Sequence, residues 1–480
     1  MNYPVIGWVL SWVLKIEGFL LLAPFIISLI YQEKQGVIYL LLAGIAIAAG
    51  EIFSRRKPKN MQIYTREGYV SVGLSWLLIS AYGSIPFVLT GEIPHYVDAV
   101  FETVSGFTTT GSSILTDVEA LCHASLFWRS FTHWIGGMGV LVFLLMLIPS
   151  RSGSHMNLMK AESPGYEVSK FVPQVKNNAR TLYRIYLGMT LITIAALLIA
   201  RMQWFDAVCL SFGAAGTGGF AVLNSSCADY TSVQQWILTI AMLAFGVNFT
   251  FYYLMLIRHP KDALRMEEVR GYFAIILASG AAITINIAHL YSSVWIALKH
   301  AFFQVATIIT TTGFATADFD KWPSFSKTIL FLLMICGACA GSTGGGIKVS
   351  RLIVAVKSML LELYQLVHPR SVKKVRMDGA PVGSRTLRSL YIFLTTYFLI
   401  FGASVLLISV DGFDFETNVS AVAATLNNIG PGFSVVGPTS NFSMYSYFSK
   451  IILIFDMLAG RLEILPVLIM LYPKTWKRYS

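Results

Sequence analysis

The chain has 480 residues, of which 55% are hydrophobic and only 13% charged, with a formal net charge of +11. A water-soluble domain carries about 25% charged residues, so this composition excludes a soluble globular fold and a nucleic-acid partner for the positive balance. Lipid tolerates only helices or closed barrels, and the apolar stretches here are continuous runs rather than alternating strands, which predicts an all-α polytopic membrane protein.

In chain order, membrane spans are predicted at 7–31, 36–54, 68–90, 125–149, 182–200, 232–257, 271–291, 326–363 (interrupted), 389–409 and 447–471. The N-terminal run lacks a charged segment followed by a small-residue cleavage site and reads as a retained first span rather than a signal peptide. Between spans lie shorter apolar stretches at 95–107, 204–215, 296–309 and 415–427, too short to cross a bilayer and suited to re-entrant helices.

Basic residues gather in alternate loops: Arg55, Arg56, Lys57, Lys59 and Arg66; Arg151, Lys160, Lys170, Lys176, Arg180 and Arg184; Arg258, Lys261, Arg265 and Arg270; Arg370 through Arg388; and Lys474 to Arg478. Positive charge marks the cytoplasmic side, so the net charge reports topology. The opposite side holds Asp98, Glu102, Asp117, Glu119, Asp206, Asp229, Asp318, Asp320, Asp411, Asp414 and Glu416. These carboxylates are expected to raise the local cation concentration there.

A unit of span, short helix, polar glycine-containing segment and span occurs four times. Its centres read TTTGSS (Thr108–Ser113), AGTGGFA (Ala215–Ala221), TTTGFA (Thr310–Ala315) and NNIGPGF (Asn427–Phe433). Gly111, Gly219, Gly313 and Gly430 align, at spacings of 108, 94 and 117 residues, with Gly218 an alternative to Gly219 in the second segment. Such a period in a membrane protein predicts pseudo-symmetry about a common axis. The expected fold is four pseudo-repeated helix–pore-loop–helix units around a central pore, plus two N-terminal transmembrane helices. The divisions fall at 1–60, 61–165, 166–262, 263–370 and 371–480.

The chemistry follows from what a cation needs in lipid. Inward-facing backbone carbonyls replace its hydration shell, glycine permits the non-helical backbone that aims them, and the C-terminal ends of short helices favour positive charge. The expected filter residues are Thr109, Thr110 and Gly111; Thr217, Gly218 and Gly219; Thr311, Thr312 and Gly313; and Asn428, Ile429 and Gly430. The bound species expected from this chemistry is a cation, which the family resemblance below makes potassium, and no covalent cofactor is expected. A single TTTG would read as a turn after a helix; four copies behind four short apolar helices do not.

These segments resemble the Trk/Ktr/HKT superfamily of potassium transport proteins, in its TrkH-type bacterial branch. The resemblance runs over essentially the whole chain and rests on GFTTTGSS, GTGGF, TTTGF and NNIGPGF. HWIGGMG (His133–Gly139), ESPG (Glu162–Gly165) and CAGSTGGGIKVSR (Cys339–Arg351) also carry it. It implies one pore per subunit, a homodimer in the cytoplasmic (inner) membrane, and a cytoplasmic nucleotide-binding regulatory subunit of the TrkA type. In symporting plant relatives the first filter glycine is a serine; Gly111 is glycine, which implies potassium selectivity. The second segment departs from the pattern with one threonine and a glycine pair. The fourth departs further, with Asn427, Asn428 and Pro431.

Residues Gly341, Ser342, Thr343, Gly344, Gly345, Gly346 and Lys348 interrupt the eighth span. A Walker phosphate loop is not met, because Ile347 separates Gly346 from Lys348 and no soluble strand precedes it. The resemblance implies an intramembrane gating loop beneath the filter, with a helix break for packing as the plainer alternative. Arg461 and Glu463 lie in the last span, where charge is costly and usually functional. By the resemblance Arg461 stands beneath the filter, donates to loop carbonyls and repels cations; the alternative pairs both charges with neighbouring helices. Arg129 and His133 read as structural. Cys336 and Cys339 form a CxxC inside an apolar helix and read as packable thiols, and Cys122 and Cys227 both fall in segments placed outside, which leaves a disulfide between them open but unsupported. The function expected is potassium uptake, with sodium- or proton-coupled symport as the alternative and a membrane-embedded enzyme as the disfavoured one.

Overall fold

The computed structural model describes residues 1–59, 61, 63–139 and 175–477, excluding the side chains of 175–180. Three expectations lie outside these residues: ESPG at 162–165, the later part of the 125–149 span, and the basic residues Arg151, Lys160, Lys170 and Arg478. So do the side chains of Lys176 and Arg180.

Helices α1 (Tyr3–Leu20), α2 (Leu22–Ile30) and α3 (Gly36–Ser54) form the N-terminal hairpin. The first unit follows with α4 (Thr65–Gly83), α5 (Ile85–Leu89), the short α6 (Tyr96–Phe107) and α7 (His123–Gly137). The second comprises α8 (Val175–Ile199), the short α9 (Trp204–Gly216), α10 (Ser232–Phe245) and α11 (Phe249–Leu256). After α12 (Pro260–Arg265), the third contains α13 (Glu267–Ile287), the short α14 (Val294–Ile309), α15 (Ser324–Cys336) and α16 (Val349–Val367). A two-residue-per-strand hairpin, β1 (Arg376–Met377) with β2 (Ala380–Pro381), precedes the fourth. That unit holds α17 (Ser384–Ile408), the short α18 (Phe415–Leu426), α19 (Tyr447–Arg461) and α20 (Leu465–Leu471).

Six helices among the described residues are long and apolar enough to cross a membrane, seven if the bent pair α10–α11 counts as one span. Two further predicted spans are built from shorter pieces. Interrupted 326–363 divides into α15 and α16, and 447–471 divides into α19 and α20. Many large apolar side chains, among them Ile192, Ile199, Ile285, Leu332 and Leu406, point outward. In water such a surface would aggregate; in lipid it is the favourable one.

The units close into a ring. Each short helix packs against the helix that follows the short helix of the preceding unit: α9 on α7, α14 on α10 and α18 on α15, while α6 packs on α19. The first unit therefore meets the fourth. The N-terminal hairpin sits outside this ring, with α2 on α7 and α1 on α4. Its attachment is partly ionic. Glu33, in the α2–α3 turn, accepts from the backbone N–H of His123 at 2.7 Å and of Ala124 at 3.0 Å. A carboxylate there satisfies orphan donors at the α7 N-terminus and complements its positive dipole end. Tyr31 stacks on the His123 ring with centroids 3.7 Å apart.

Loss of a helix cap costs on the order of 1 kcal/mol. Glu33→Ala is expected to lower the thermal midpoint of the detergent-solubilised protein, and Glu33→Gln to lower it less. An unchanged midpoint for Glu33→Ala would show that the hairpin does not depend on this cap.

Candidate functional site

The four short helices converge with their C-terminal ends on four loops, and each loop leaves its helix in the same way. The N–H groups of Thr109, Thr217, Thr311 and Asn428 reach back three residues to carbonyls of Gly106, Ala214, Ile308 and Thr425, at 3.0–3.2 Å. The next N–H groups, of Thr110, Gly218, Thr312 and Ile429, reach back five residues to Ser105, Gly213, Thr307 and Ala424, each at 2.8 Å. This is the Schellman closure, which normally places glycine in the left-handed position. Here the position is held by Thr109 (φ 54°), Thr217 (φ 54°), Thr311 (φ 58°) and Asn428 (φ 56°). Left-handed backbone is unfavourable for a β-branched residue, at a cost of order 1–3 kcal/mol each.

Two residues later each chain turns at a glycine with positive φ: Gly111 (83°), Gly219 (78°), Gly313 (92°) and Gly430 (106°). This identifies Gly219, not Gly218, as the equivalent of the other three. Glycine is required a second time by contact. A Cβ on Gly111 would stand 2.1 Å from the Gly218 carbonyl oxygen, and one on Gly219 would stand 2.0 Å from that of Thr312. A Cβ on Gly313 would lie 2.1 Å from the Ile429 oxygen, and one on Gly430 would lie 2.9 Å from that of Thr110. Loop one thus meets loop two, two meets three, three meets four, and four returns to one. The carbonyls of Thr110, Gly218, Thr312 and Ile429 form one closed set.

Side chains lock the loops from behind. In the first and third, the hydroxyls of Thr108 and Thr110, and of Thr310 and Thr312, pair at 2.8 Å. In the second, Gly216 and Gly218 replace both threonines because His133 occupies their space: a Cβ on Gly218 would lie 2.2 Å from its Nδ1. His133 Nδ1 donates to the Gly106 carbonyl at 2.8 Å, and its Nε2 accepts from Phe220 N–H at 3.2 Å. In the fourth, Asn428 Nδ2 donates to Thr110 Oγ1 and to the Met457 carbonyl, both at 2.9 Å. Asn427 Nδ2 donates to Tyr397 Oη at 2.9 Å.

Glu102, expected to face the acidic vestibule, does not. It is 1% exposed and paired with Arg129 at 2.7 Å. It also accepts from Ile114 N–H and Ser113 Oγ, each at 3.0 Å, anchoring the far end of the first loop. Asp98 and Asp320 are also neutralised, by Lys450 at 2.6 Å and Lys327 at 3.0 Å.

Below the ring, the helix that follows each of the four loops ends. The described part of α7 ends at Gly137, α10 turns into α11 by 89° after Phe245, α15 stops at Cys336 and α19 stops at Arg461. The chain from Gly337 to Lys348 is non-helical and lies against the third and fourth loops. Gly345 N–H donates to Thr311 Oγ1 at 2.6 Å, and a Cβ on Gly345 would lie 2.3 Å from the Asn427 oxygen. Thr343 Oγ1 donates to the Phe245 carbonyl at 3.3 Å. Gly341 and Gly346 have positive φ of 69° and 77°, and Lys348 has 85°. Lys348 Nζ donates to the Gly344 carbonyl. Ser342 Oγ closes the turn on the Cys339 carbonyl at 2.6 Å.

Arg461 Nη1 donates to Thr343 O at 2.8 Å, and Nη2 donates to Gly137 O at 2.8 Å and also to Gly136 O. One guanidinium thereby joins the loop to the end of α7. Glu463 instead pairs with Arg351 of α16, as the packing alternative foresaw for that residue. The CxxC is not within a helix: Cys336 ends α15 and Cys339 lies in the loop, both buried thiols. Cys122 and Cys227 are free.

A sequence profile described as "TrkH: Cation transport protein" matches residues 34–478. The chain belongs to the TrkH family. That family comprises cation transporters, not enzymes, and this member is a multi-pass membrane protein. It is 34% identical over 466 residues to the Trk system potassium uptake protein TrkH of Escherichia coli K12, covering 95% of this chain and 96% of that protein. It is 31% identical over 464 residues to TrkG of the same organism, covering 95% of each chain. The crystal structure of the potassium transporter TrkH from Vibrio parahaemolyticus superposes with a TM-score of 0.89 at 30% identity. The match covers 99% of this chain and 100% of that one.

Sequence reasoning read His133 as structural, and its two ring hydrogen bonds agree, but it did not place the ring in the second loop and it overlooked Glu268, which accepts from the backbone N–H groups of Ala340 and Ser350. The glycine pair at 218–219 was the available signal for His133: a missing side chain implies that something else fills its place. Because the His133 ring and a Gly218 Cβ compete for one volume, the two sites are coupled. Gly218→Ala is expected to destabilise strongly in the parent and less in His133→Ala, with a coupling of about 1–3 kcal/mol in thermal or denaturant unfolding. Additive effects would contradict this packing.

Proposed function

We propose that the chain carries potassium into the cell across the cytoplasmic membrane through the ring of four loops. The observation that supports this most directly is the closed cyclic contact of the Thr110, Gly218, Thr312 and Ile429 carbonyls with Gly430, Gly111, Gly219 and Gly313. Carbonyl oxygens gathered around one axis substitute for the hydration shell of a monovalent cation. The filter residues are Thr109, Thr110 and Gly111, Thr217, Gly218 and Gly219, Thr311, Thr312 and Gly313, and Asn428, Ile429 and Gly430. The C-terminal ends of α6, α9, α14 and α18 add partial negative charge at the same place. Relatives named as potassium uptake proteins support potassium as the cargo.

The gate in this reading is the segment from Gly341 to Gly346 with Lys348. It lies directly under the ring, and its glycines allow it to move. Arg461 holds it: the guanidinium donates to the loop and places a positive charge on the conduction path. The repeat divisions 61–165, 166–262, 263–370 and 371–480 give each unit one filter loop. The family likeness adds a homodimer and a nucleotide-binding regulatory subunit docked on the basic cytoplasmic loops.

Purified protein in liposomes with an outward-directed or inward-directed potassium gradient tests the reading. Potassium flux is expected to be electrogenic, to exceed sodium flux, and to persist without a sodium or proton gradient. Flux that stops without such a gradient would establish a symporter instead. Arg461→Ala is expected to raise potassium flux about five-fold or more without altering ion preference, a coupling of roughly 1 kcal/mol or greater. Unchanged or abolished flux in a folded variant would remove Arg461 from the gate.

A further inference from the structure

We infer that Glu268 is the positioning residue that clasps the loop beneath the ring in its closed conformation. The inference rests on the gating reading above and adds what holds the closed state. Glu268 lies in the first turn of α13 and is 4% exposed. Its Oε1 accepts two backbone N–H groups, from Ala340 at 2.6 Å and from Ser350 at 3.1 Å. Ala340 leads into the loop and Ser350 begins the helix that leaves it. One carboxylate oxygen therefore ties the two limbs together.

The second oxygen, Oε2, accepts from Asn248 Nδ2 at 3.3 Å. Asn248 sits at the α10–α11 break and caps α11, its Oδ1 accepting from Thr250 N–H at 2.9 Å. The entering limb is stitched to the same break. Cys339 N–H donates to Gly246 O at 3.1 Å, and Phe249 N–H donates to Gly341 O at 3.0 Å. The carboxylate thus joins three parts of the chain: the kink of the second unit, the entering limb and the N-terminus of α16.

The post that carries Glu268 is itself fixed. Glu267, beside it, pairs with Lys357 of α16, and Glu267 N–H donates to Asp378 Oδ1 of the β1–β2 hairpin at 2.7 Å. Lys357 Nζ also donates to Arg376 O at 3.0 Å. The loop can move only by leaving this turn behind. When its limbs swing away, Glu268 loses two charge-assisted donors in a setting with little water to replace them. That loss favours the closed loop. The Ser350 bond also uses a helix N-terminal donor, where a carboxylate is most favourable. Nothing in the ring itself requires an acid at this position.

The test uses the full purified chain in liposomes, with rubidium and potassium flux, the potassium-to-sodium ratio and the thermal midpoint in detergent as readouts. Glu268→Ala removes the acceptor; Glu268→Gln keeps one without its charge. Flux is expected to rise in the order parent, Gln, Ala, by about five-fold or more for Ala, with the ion ratio unchanged. A residue that merely stabilised the fold would lower midpoint and flux together, and Gln would not open the pathway. If Ala does not fold, Gln carries the test: no rise above parent overturns the clasp. Arg461→Ala and deletion of Gly341–Gly345 separate the two readings. If either raises flux while folded Glu268 variants do not, the clasp is wrong and the gate stands. If neither raises flux, the gating reading fails and the clasp fails with it.

Discussion

The rest of this structure depends on four places where a carbonyl oxygen lies too close to the position a Cβ would occupy to admit one. At Gly111, Gly219 and Gly313 the neighbouring loop's oxygen lies 2.0–2.1 Å from that position, far inside any permitted contact, and at Gly430 it lies 2.9 Å from it. Only glycine allows this approach, and only a closed set of four loops makes each glycine both host and guest. The left-handed threonines two residues earlier are costly on their own, and the ring holds them. Strain of this kind persists when the surroundings over-determine it.

The fourfold pattern is kept in the backbone and broken in the side chains. All four loops share one hydrogen-bond closure, yet each is braced differently. Threonine pairs brace loops one and three, an imidazole braces loop two, and two asparagines brace loop four. The asymmetry has a use below the ring. The interruption of the third unit supplies the loop there, and the break in the fourth supplies Arg461, which joins that loop to the end of the first unit. A pore of four identical subunits would have to offer either feature in every unit; a single chain can place each once.

Much of this was legible in the sequence, for physical reasons. Spans and short helices appear because lipid demands continuous apolar runs of set length. The four glycines appear because positive φ and close approach exclude every other residue. Alignment favoured Gly219 over Gly218, and the structure agrees; what the sequence did not show is why both are glycine, one making room for His133 and the other for a carbonyl. Glu102 was misread as a vestibule charge because nothing local shows that Arg129, in the next helix, reaches it. Glu268 was invisible for the same reason. Its partners, Asn248, Ala340 and Ser350, belong to three separate elements, and only the folded chain brings them to one carboxylate.

The central claim is that the four carbonyls form one dehydrating site for a monovalent cation. Diffraction from crystals grown in potassium and exchanged into rubidium or thallium locates such an ion by its anomalous signal. The account predicts anomalous density on the axis among the carbonyl oxygens of Thr110, Gly218, Thr312 and Ile429, and its loss in sodium alone. A ring without ion density, with the heavy cation bound elsewhere in the membrane-embedded region, would contradict it.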